Sequence, residues 1–333
     1  MRVLKLFIVA VNHKVTDLTI ACLRTLSREV PRIPGATVAV VENGSGDGAE
    51  QRLRETITMN TWDLWMELIP VSSNLGFSGG NNLAIRKAMA SADPPQYVLL
   101  LNPDTLVPPG AVSALVSFMD EHPDVGIAGS RLQYPDGRAQ GTPFRFHGIA
   151  SEFDRGAGIG VISGLLRRWV ACSPKPASAC AVDWVAGAAM IVRREVIQAI
   201  GPLDDAYFNY FEDMDYCLNA RRAGWPTWYV PESRIVHIEG CSSGLKAGNR
   251  ARIPEYWFQA RRRYFLKNHG KLYAALADGA FLAGSLLCRL RRWIDHSVDR
   301  HPPGLLRDSM CHSVFHAGFQ LDDPKSASEA PLL

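Results

Sequence analysis

Three carboxylates, Glu212, Asp213 and Asp215, crowd the start of a helical pattern in which Met214, Cys217, Leu218 and Arg221 keep helical spacing until Gly224 stops it. Unpaired N–H groups and the helix dipole favour negative charge there, so an acid in the first turn stays ionised and can serve as a general base. Such acids also cap helices with no chemistry attached, and in isolation that is the simpler reading. The aromatic run Tyr207-Phe-Asn-Tyr-Phe211 just ahead, able to wall off water, favours the chemical role. A second carboxylate stands where Gln96–Leu101, a buried strand, runs into Asn102-Pro103-Asp104-Thr105. An acid at a strand tip stiffened by proline suits a hard divalent cation holding a pyrophosphate, and an Asx-type turn opening the next helix explains it equally well. His237 ends the later strand pattern Arg234–His237; imidazole is an acceptable Mn²⁺ ligand, although such a histidine is more often structural.

The elements that must carry these groups read as strands separated by helices. Leu4–Val11, Thr37–Val41, Leu68–Val71, Gln96–Leu101, Gly126–Ser130 and Asp183–Val192 are strand-like. Asp17–Leu26, a segment through Arg52, Leu83–Ala88, Ala111–Met119 and Arg194–Ile200 are helical. That alternation predicts βαβ units and a mostly parallel sheet, whose ligands bind beyond the strands' carboxyl ends. Polar loops fall there. Glu42-Asn43 follows the second strand, where an acid can accept from a base or ribose and a simple turn is the plainer alternative. Asn74-Leu-Gly-Phe-Ser-Gly-Gly-Asn-Asn82 opens a helix with small residues that let a ligand approach backbone N–H groups. It is neither a Walker A loop nor a G-x-G-x-x-G fingerprint. Residues 141–181 show no clear period and read as a variable loop or lid.

The N-terminal apolar run is too short for a signal peptide, and seven cysteines without C-x-x-C pairs suggest reduced thiols, so the expected setting is cytoplasmic. The net charge of +3 conceals an asymmetry: between Leu245 and Arg292 eleven Lys/Arg stand against two acids, a surplus of nine that leaves the remainder at −6. Such a basic segment suggests an anionic surface, and no nucleic-acid recognition motif is present. Leu272–Cys288 is apolar but for Asp278, and basic residues flank it at Arg261–Lys267 and Arg289–Arg292. It is marginal for spanning a bilayer. An amphipathic helix lying on anionic lipid fits better, with a helix docked on the body as the alternative. The expected organisation is a catalytic domain over 1–244, a basic helical extension over 245–300 with membrane contact, and a loosely ordered tail over 301–333.

Taken in order, Val40–Ser45, Asn74–Asn82, Leu99–Asp104, Trp184–Ala189, Gly201–Asp204, Phe211–Asp215 and Val236-His237 resemble the family 2 glycosyltransferases, especially the bacterial rhamnosyltransferase-like members. The resemblance implies an α/β GT-A (Rossmann-like) fold with a mostly parallel sheet flanked by helices. It implies that Asp104, with His237, holds Mg²⁺ or Mn²⁺ against the diphosphate of a nucleotide sugar. Asn102 stands where many members carry the first acid of a D-x-D motif. Val11, Glu42, Asn43, Asn74, Gly76, Phe77, Gly80, Asn81 and Asn102 would line the donor, Glu42 reading the base. Asp213 would be the catalytic base and Glu212 its support, with Asp183, Trp184, Gly187 and Asp215 on the sugar and acceptor side. One base and one metal imply direct displacement with inversion, whereas a hydrolase would flank the bond with two carboxylates. Rhamnose from dTDP-rhamnose is the expected donor, UDP-sugars coming next. The acceptor would be a saccharide or a polyprenyl-linked sugar of cell-surface polysaccharide synthesis, met at the inner face of the cytoplasmic membrane. A nucleotidyltransferase lacks its basic Gly-rich loop, and a non-catalytic glycan- or nucleotide-binding scaffold is the alternative from another class.

Overall fold

The computed structural model describes residues 5–140, 145–166, 169, 176–238, 252–296 and 301–321. Its organising element is a sheet in the order β3 (Met66–Val71), β2 (Ala36–Asn43), β1 (Leu6–Asn12), β4 (Tyr97–Leu101), β8 (Ala189–Arg193), β6 (Ile127–Gln133), β9 (Thr227–His237), β5 (Thr105–Leu106), with β7 (Cys180–Val182) also on β9. The half formed by β3, β2, β1 and β4 is parallel, as βαβ alternation requires. Beyond it β8 runs antiparallel to both β4 and β6, so the complete sheet is mixed.

Strand residues alternate between two cores because successive side chains leave opposite faces. Leu6, Ile8, Val38, Val40, Leu99 and Leu101 face helices α1 (Thr16–Leu26), α2 (Ala49–Met59) and α4 (Ala111–Glu121). Phe7, Val9, Ala39, Val41, Val98 and Leu100 face α3 (Gly76–Met89) and, further along, helices labelled α7 (Arg194–Ile200) and α8 (Glu212–Arg222). Each fully buried Leu, Ile or Val contributes about 1.5–3 kcal/mol by leaving water, so two such layers hold the strand tips rigidly.

Two strands differ from expectation. β8 starts at Ala189, not Asp183, because residues 183–188 form a wall of the site. The strand expected over Arg234–His237 begins earlier, at Thr227: Val230 pairs with Ser130 and Arg234 with Arg131, so Pro231–Ser233 bulge out where proline has no N–H to give.

Residues 141–181 are expected as a loop or lid; their described part includes helices α5 (Ile149–Ala157) and α6 (Gly160–Leu165). α5 packs on the long helix α9 (Glu255–Asp295), which bends at Gly270 (φ 82°). Glycines make that crossing close: a Cβ on Gly156 would strike the Phe281 carbonyl, and one on Gly284 the Phe153 carbonyl. Inside the crossing Glu152 is fully buried, accepting from Arg261 Nε at 2.9 Å and Arg155 Nη2 at 2.5 Å. Arg261 also donates to Asp278 at 2.5 Å, and Asp278 accepts the Val314 N–H at 2.7 Å. Burial would raise the Glu152 carboxyl, but the Arg155 and Arg261 guanidiniums beside it hold it well below its ordinary value.

The basic run before Gly270 therefore faces inward, contrary to the reading as a lipid-facing patch. Arg261 is used as above, Arg262 donates to the Ala317 carbonyl, Arg263 grips Asp204, and Lys267 bridges Asp204 and Asp215. Tyr264 and Phe265 share a buried cluster with Phe211, Met214 and Leu218, so the extension is built into the body that carries α8. The expected boundary at residue 244 lies outside the described residues. The tail is also more ordered than its composition implies: α10 (Leu305–Cys311) and α11 (Val314–Ala317) bury Leu305 and Val314 beside α9, and residues beyond 321 lie outside the described ones. Cys22, Cys180, Cys217, Cys288 and Cys311 are free thiols.

Candidate active site

The parallel register sets the tips of β1, β2 and β4 side by side, Asn12 opposite Glu42, and the chain leaves β4 through Asn102 to Asp104. Asp104 is 1% exposed, and among the described residues neither of its carboxylate oxygens accepts a hydrogen bond. The Asn102 Oδ1 is buried and unpartnered in the same way. β5 pairs antiparallel with β9, Thr105 opposite His237, which puts His237 Nε2 3.4 Å from Asp104 Oδ1. Gln140 fixes that ring. Its Nε2 donates to the His237 carbonyl at 2.8 Å, which leaves its Oε1 to accept from His237 Nδ1–H at 3.0 Å. In the neutral ring Nε2 is thereby the nitrogen without a proton, and it faces Asp104 and the Asn102 amide nitrogen, each at 3.4 Å. Orphaned buried carboxylates are costly. Two carboxylate oxygens, an amide oxygen and an imidazole nitrogen are donors that Mg²⁺ or Mn²⁺ accepts, so these residues fit such a cation. Beneath them lies Cys22, 3.4 Å from the Thr105 hydroxyl; burial pushes its thiol up to about 11, so it stays protonated.

One dipeptide connects this corner to the acidic helix. The Asn102 N–H donates to the Ala188 carbonyl at 3.0 Å, and the neighbouring Gly187 N–H donates to Asp213 Oδ2 at 3.1 Å. Asp213 also accepts the Met214 N–H at 2.8 Å. Asp104 and Asp213 thus flank one loop. Gly187 leaves room there for the Phe77 ring, which a Cβ would approach to 2.9 Å. Just before α8, Tyr210 and Phe211 both take left-handed backbone (φ 73° and 67°), a conformation that costs non-glycine residues and recurs at functional sites. Burial pushes the Asp213 carboxyl up to about 6 against the pull of the Gly187 and Met214 N–H groups. Glu212, buried with Oε2 unpartnered, is raised well above its ordinary value by burial and by the Asp213 charge. Asp213 is therefore the acid that ionises first.

The glycine-rich stretch is the first turns of α3 itself, and most of its polar atoms are spent on the protein. Asn43 donates to Asn74 Oδ1 and the Gly76 carbonyl, both at 3.0 Å, and accepts the Leu75 N–H. Gly76 has φ 72° and lies against Phe208, whose carbonyl accepts the Phe77 N–H at 2.6 Å. Gly80 lets α3 close on Val11, where a Cβ would meet Val11 Cγ1 at 2.7 Å. Asn81 donates to the Phe77 carbonyl, and Glu42 accepts the Ser45 N–H at 2.9 Å. These residues shape the pocket wall more than they offer free groups, and the partly buried Phe77 reaches Gly187.

Asp215 is a correction. Expected on the acceptor side, it is 2% exposed and saturated by Tyr207 OH, Asn219, Lys267 and Asn268, at 3.1, 3.1, 2.7 and 2.6 Å. It anchors α8 to α9. Asp183 accepts the Phe146 N–H and an Arg221 N–H, and the Trp184 indole donates to the Arg145 carbonyl. Together they pin residues 145–147, and with them His147, which sequence reading passed over. His147 lies 3.3 Å from Glu152 and edge-on to Phe211. Neither His147 nor Gln140 sits in a periodic or motif-like stretch, so no sequence signal marked them.

A parallel α/β half-sheet continued by antiparallel and mixed pairing, with one acid just past a strand tip and another opening a helix across one loop, is the arrangement of the GT-A fold. A model of the glycosyltransferase like family 2 matches residues 3–263, and the chain belongs to that family. It is 27% identical over 224 residues to an N-acetylglucosaminyl-diphospho-decaprenol L-rhamnosyltransferase of Mycobacterium tuberculosis, 62% of this chain and 68% of that protein. Its fold is similar to that of GalNAc-T7 solved with UDP, GalNAc and Mn²⁺ (TM-score 0.56, 14% identity), the match covering 96% of this chain and 58% of that one. It is similar also to the mannosyltransferase PcManGT of Pyrobaculum calidifontis with GDP-Man and Mn²⁺ (TM-score 0.55, 14% identity, 96% and 84% coverage). The protein is a glycosyltransferase of that family, similar in sequence to a rhamnosyltransferase.

Proposed function

We propose that the enzyme transfers a sugar, with inversion, from a nucleotide diphosphate donor to a saccharide or polyprenyl-linked acceptor, with rhamnose from dTDP-rhamnose as the first donor to test. The observation that carries this reading is the pair of orphaned Asp104 oxygens one dipeptide away from Asp213. Among the described residues no cluster of three or more His, Cys, Asp or Glu could hold a metal. Asp104, His237 and the Asn102 amide oxygen would hold a divalent cation, and the donor's phosphate oxygens and water would supply its remaining contacts. Bound there, the cation would neutralise the diphosphate leaving group.

Asp213, held by two N–H groups, would take the proton from the acceptor hydroxyl as that oxygen attacks the anomeric carbon. Phe77 and Gly187 would keep the sugar's flank dry. The GT-A neighbour carrying GDP-Man and the relative named for a decaprenol-linked substrate support the donor and acceptor classes.

A thermal-shift screen of dTDP-rhamnose, UDP-sugars and GDP-sugars, each with and without Mn²⁺, tests the donor, since a ligand of the native state raises its melting temperature. Asp104→Ala should abolish the Mn²⁺-dependent shift while leaving the unliganded melting temperature at or above wild type, because the orphaned charge is gone. Turnover unchanged in excess EDTA would refute the cation.

A further inference from the structure

Past Gly270, α9 has two faces of opposite fate. Ala274, Ala277, Asp278, Phe281, Gly284 and Ser285 are buried, in part against α5. The outward face carries Leu272 (76% exposed), Leu276, Ala283, Leu286, Leu290 and Trp293 (77% exposed), mostly three or four residues apart and hence in one stripe. At 1.5 Å per residue the stripe runs about 32 Å. A helix docked on a soluble body keeps its polar residues outside; here the outside is apolar. From Leu272 to Cys288 the only formally charged side chain is Asp278, and it is buried against Arg261. Cations bracket that uncharged segment, Lys271 before it and Arg289, Arg291 and Arg292 after it, the arginines alternating with Leu290 and Trp293 at the stripe's end.

We propose that this face docks the protein flat onto an anionic lipid bilayer, the stripe in the acyl boundary and the bracketing cations at the headgroups. The occupant follows from charge. A second copy laid antiparallel on the stripe would bring Lys271 against the other copy's arginines, and a parallel copy would set arginines on arginines; anionic headgroups complement both ends. Crossing the bilayer is disfavoured because one-third of the helix's most apolar window is buried within the protein, including the Asp278 that holds Arg261. The inference goes beyond the proposed reaction, and its readout is binding, independent of catalysis.

The test is co-sedimentation of the full chain with vesicles of phosphatidylcholine alone or mixed with phosphatidylglycerol. Binding to the mixed vesicles and release by alkaline carbonate are expected. Leu286→Glu/Trp293→Glu, at exposed positions, should lower vesicle affinity at least about tenfold with an unchanged melting temperature. Arg289→Glu/Arg292→Glu should erase the preference for anionic lipid. Vesicle binding unaffected by both variants would overturn the proposal. So would carbonate-resistant insertion, or a lipid-free dimer that the Leu286→Glu/Trp293→Glu variant converts to monomer.

Discussion

Asp213→Asn is expected to lower the rate of sugar transfer by about 10²–10⁴-fold, the usual worth of a positioned base, with donor affinity retained. Asn keeps an oxygen for the Gly187 and Met214 N–H groups but cannot take a proton. Loss of donor binding with normal turnover in the residual complex would remove Asp213 from the base role. The pH dependence gives a second readout. A base raised from 3.8 to about 6 is protonated below that value, so wild-type transfer should rise as pH passes through about 6. Stability should move the other way. A carboxyl whose folded-state value exceeds its unfolded one binds more protons when folded, so its contribution falls as pH climbs from about 4 to about 6. Asp213→Asn should flatten that fall. Glu212, also raised, opposes ionisation from the same side and should extend the fall to higher pH.

Glu152→Gln should destabilise the protein by about 3–5 kcal/mol, the cost of removing one partner from a buried ionic cluster. Arg155 and Arg261 would share the site with only Asp278 as counter-charge, and Arg155 lies over Trp257 and Phe281 at 4.7 and 4.6 Å with nowhere to go. Urea unfolding of wild type and variant measures the difference. The sign with pH is the reverse of Asp213. The Glu152 carboxyl is held below its unfolded value, so its contribution is complete above about 4.5 and fades as pH falls through the depressed folded-state value. The stability gap between wild type and Glu152→Gln should therefore narrow in acid. A gap unchanged with pH would show that packing, not charge, carries the effect.

Local pattern made much of this legible. Alternating apolar residues in β1, β2 and β4 announced two-faced burial, and the positions of Asp104, Asp213 and His237 at element ends placed them at the sheet's carboxyl edge. What stayed hidden depends on partners distant in sequence. A count of charges cannot tell a lipid-facing arginine from Arg261, whose counter-ion Glu152 is 109 residues away. Asp215 looks like its neighbours Glu212 and Asp213 in sequence, yet two residues along the helix, about 200° of rotation, turn it from the loop toward Lys267 and Asn268. Gln140 orients His237 across 97 residues, a relation that no local spacing encodes.

The latch at Asp215 also bears on what counts as a minimal enzyme. The family segment stops at residue 263, after every recognisable motif, but Lys267 and Asn268 lie beyond it. A chain trimmed to the motifs would keep all the reacting groups and strand a sequestered anion with half its hydrogen-bond donors. The helix that carries Asp213 would lose its brace. If Asp213 is the base as proposed, catalytic competence in this scaffold depends on a stretch with no signature of its own.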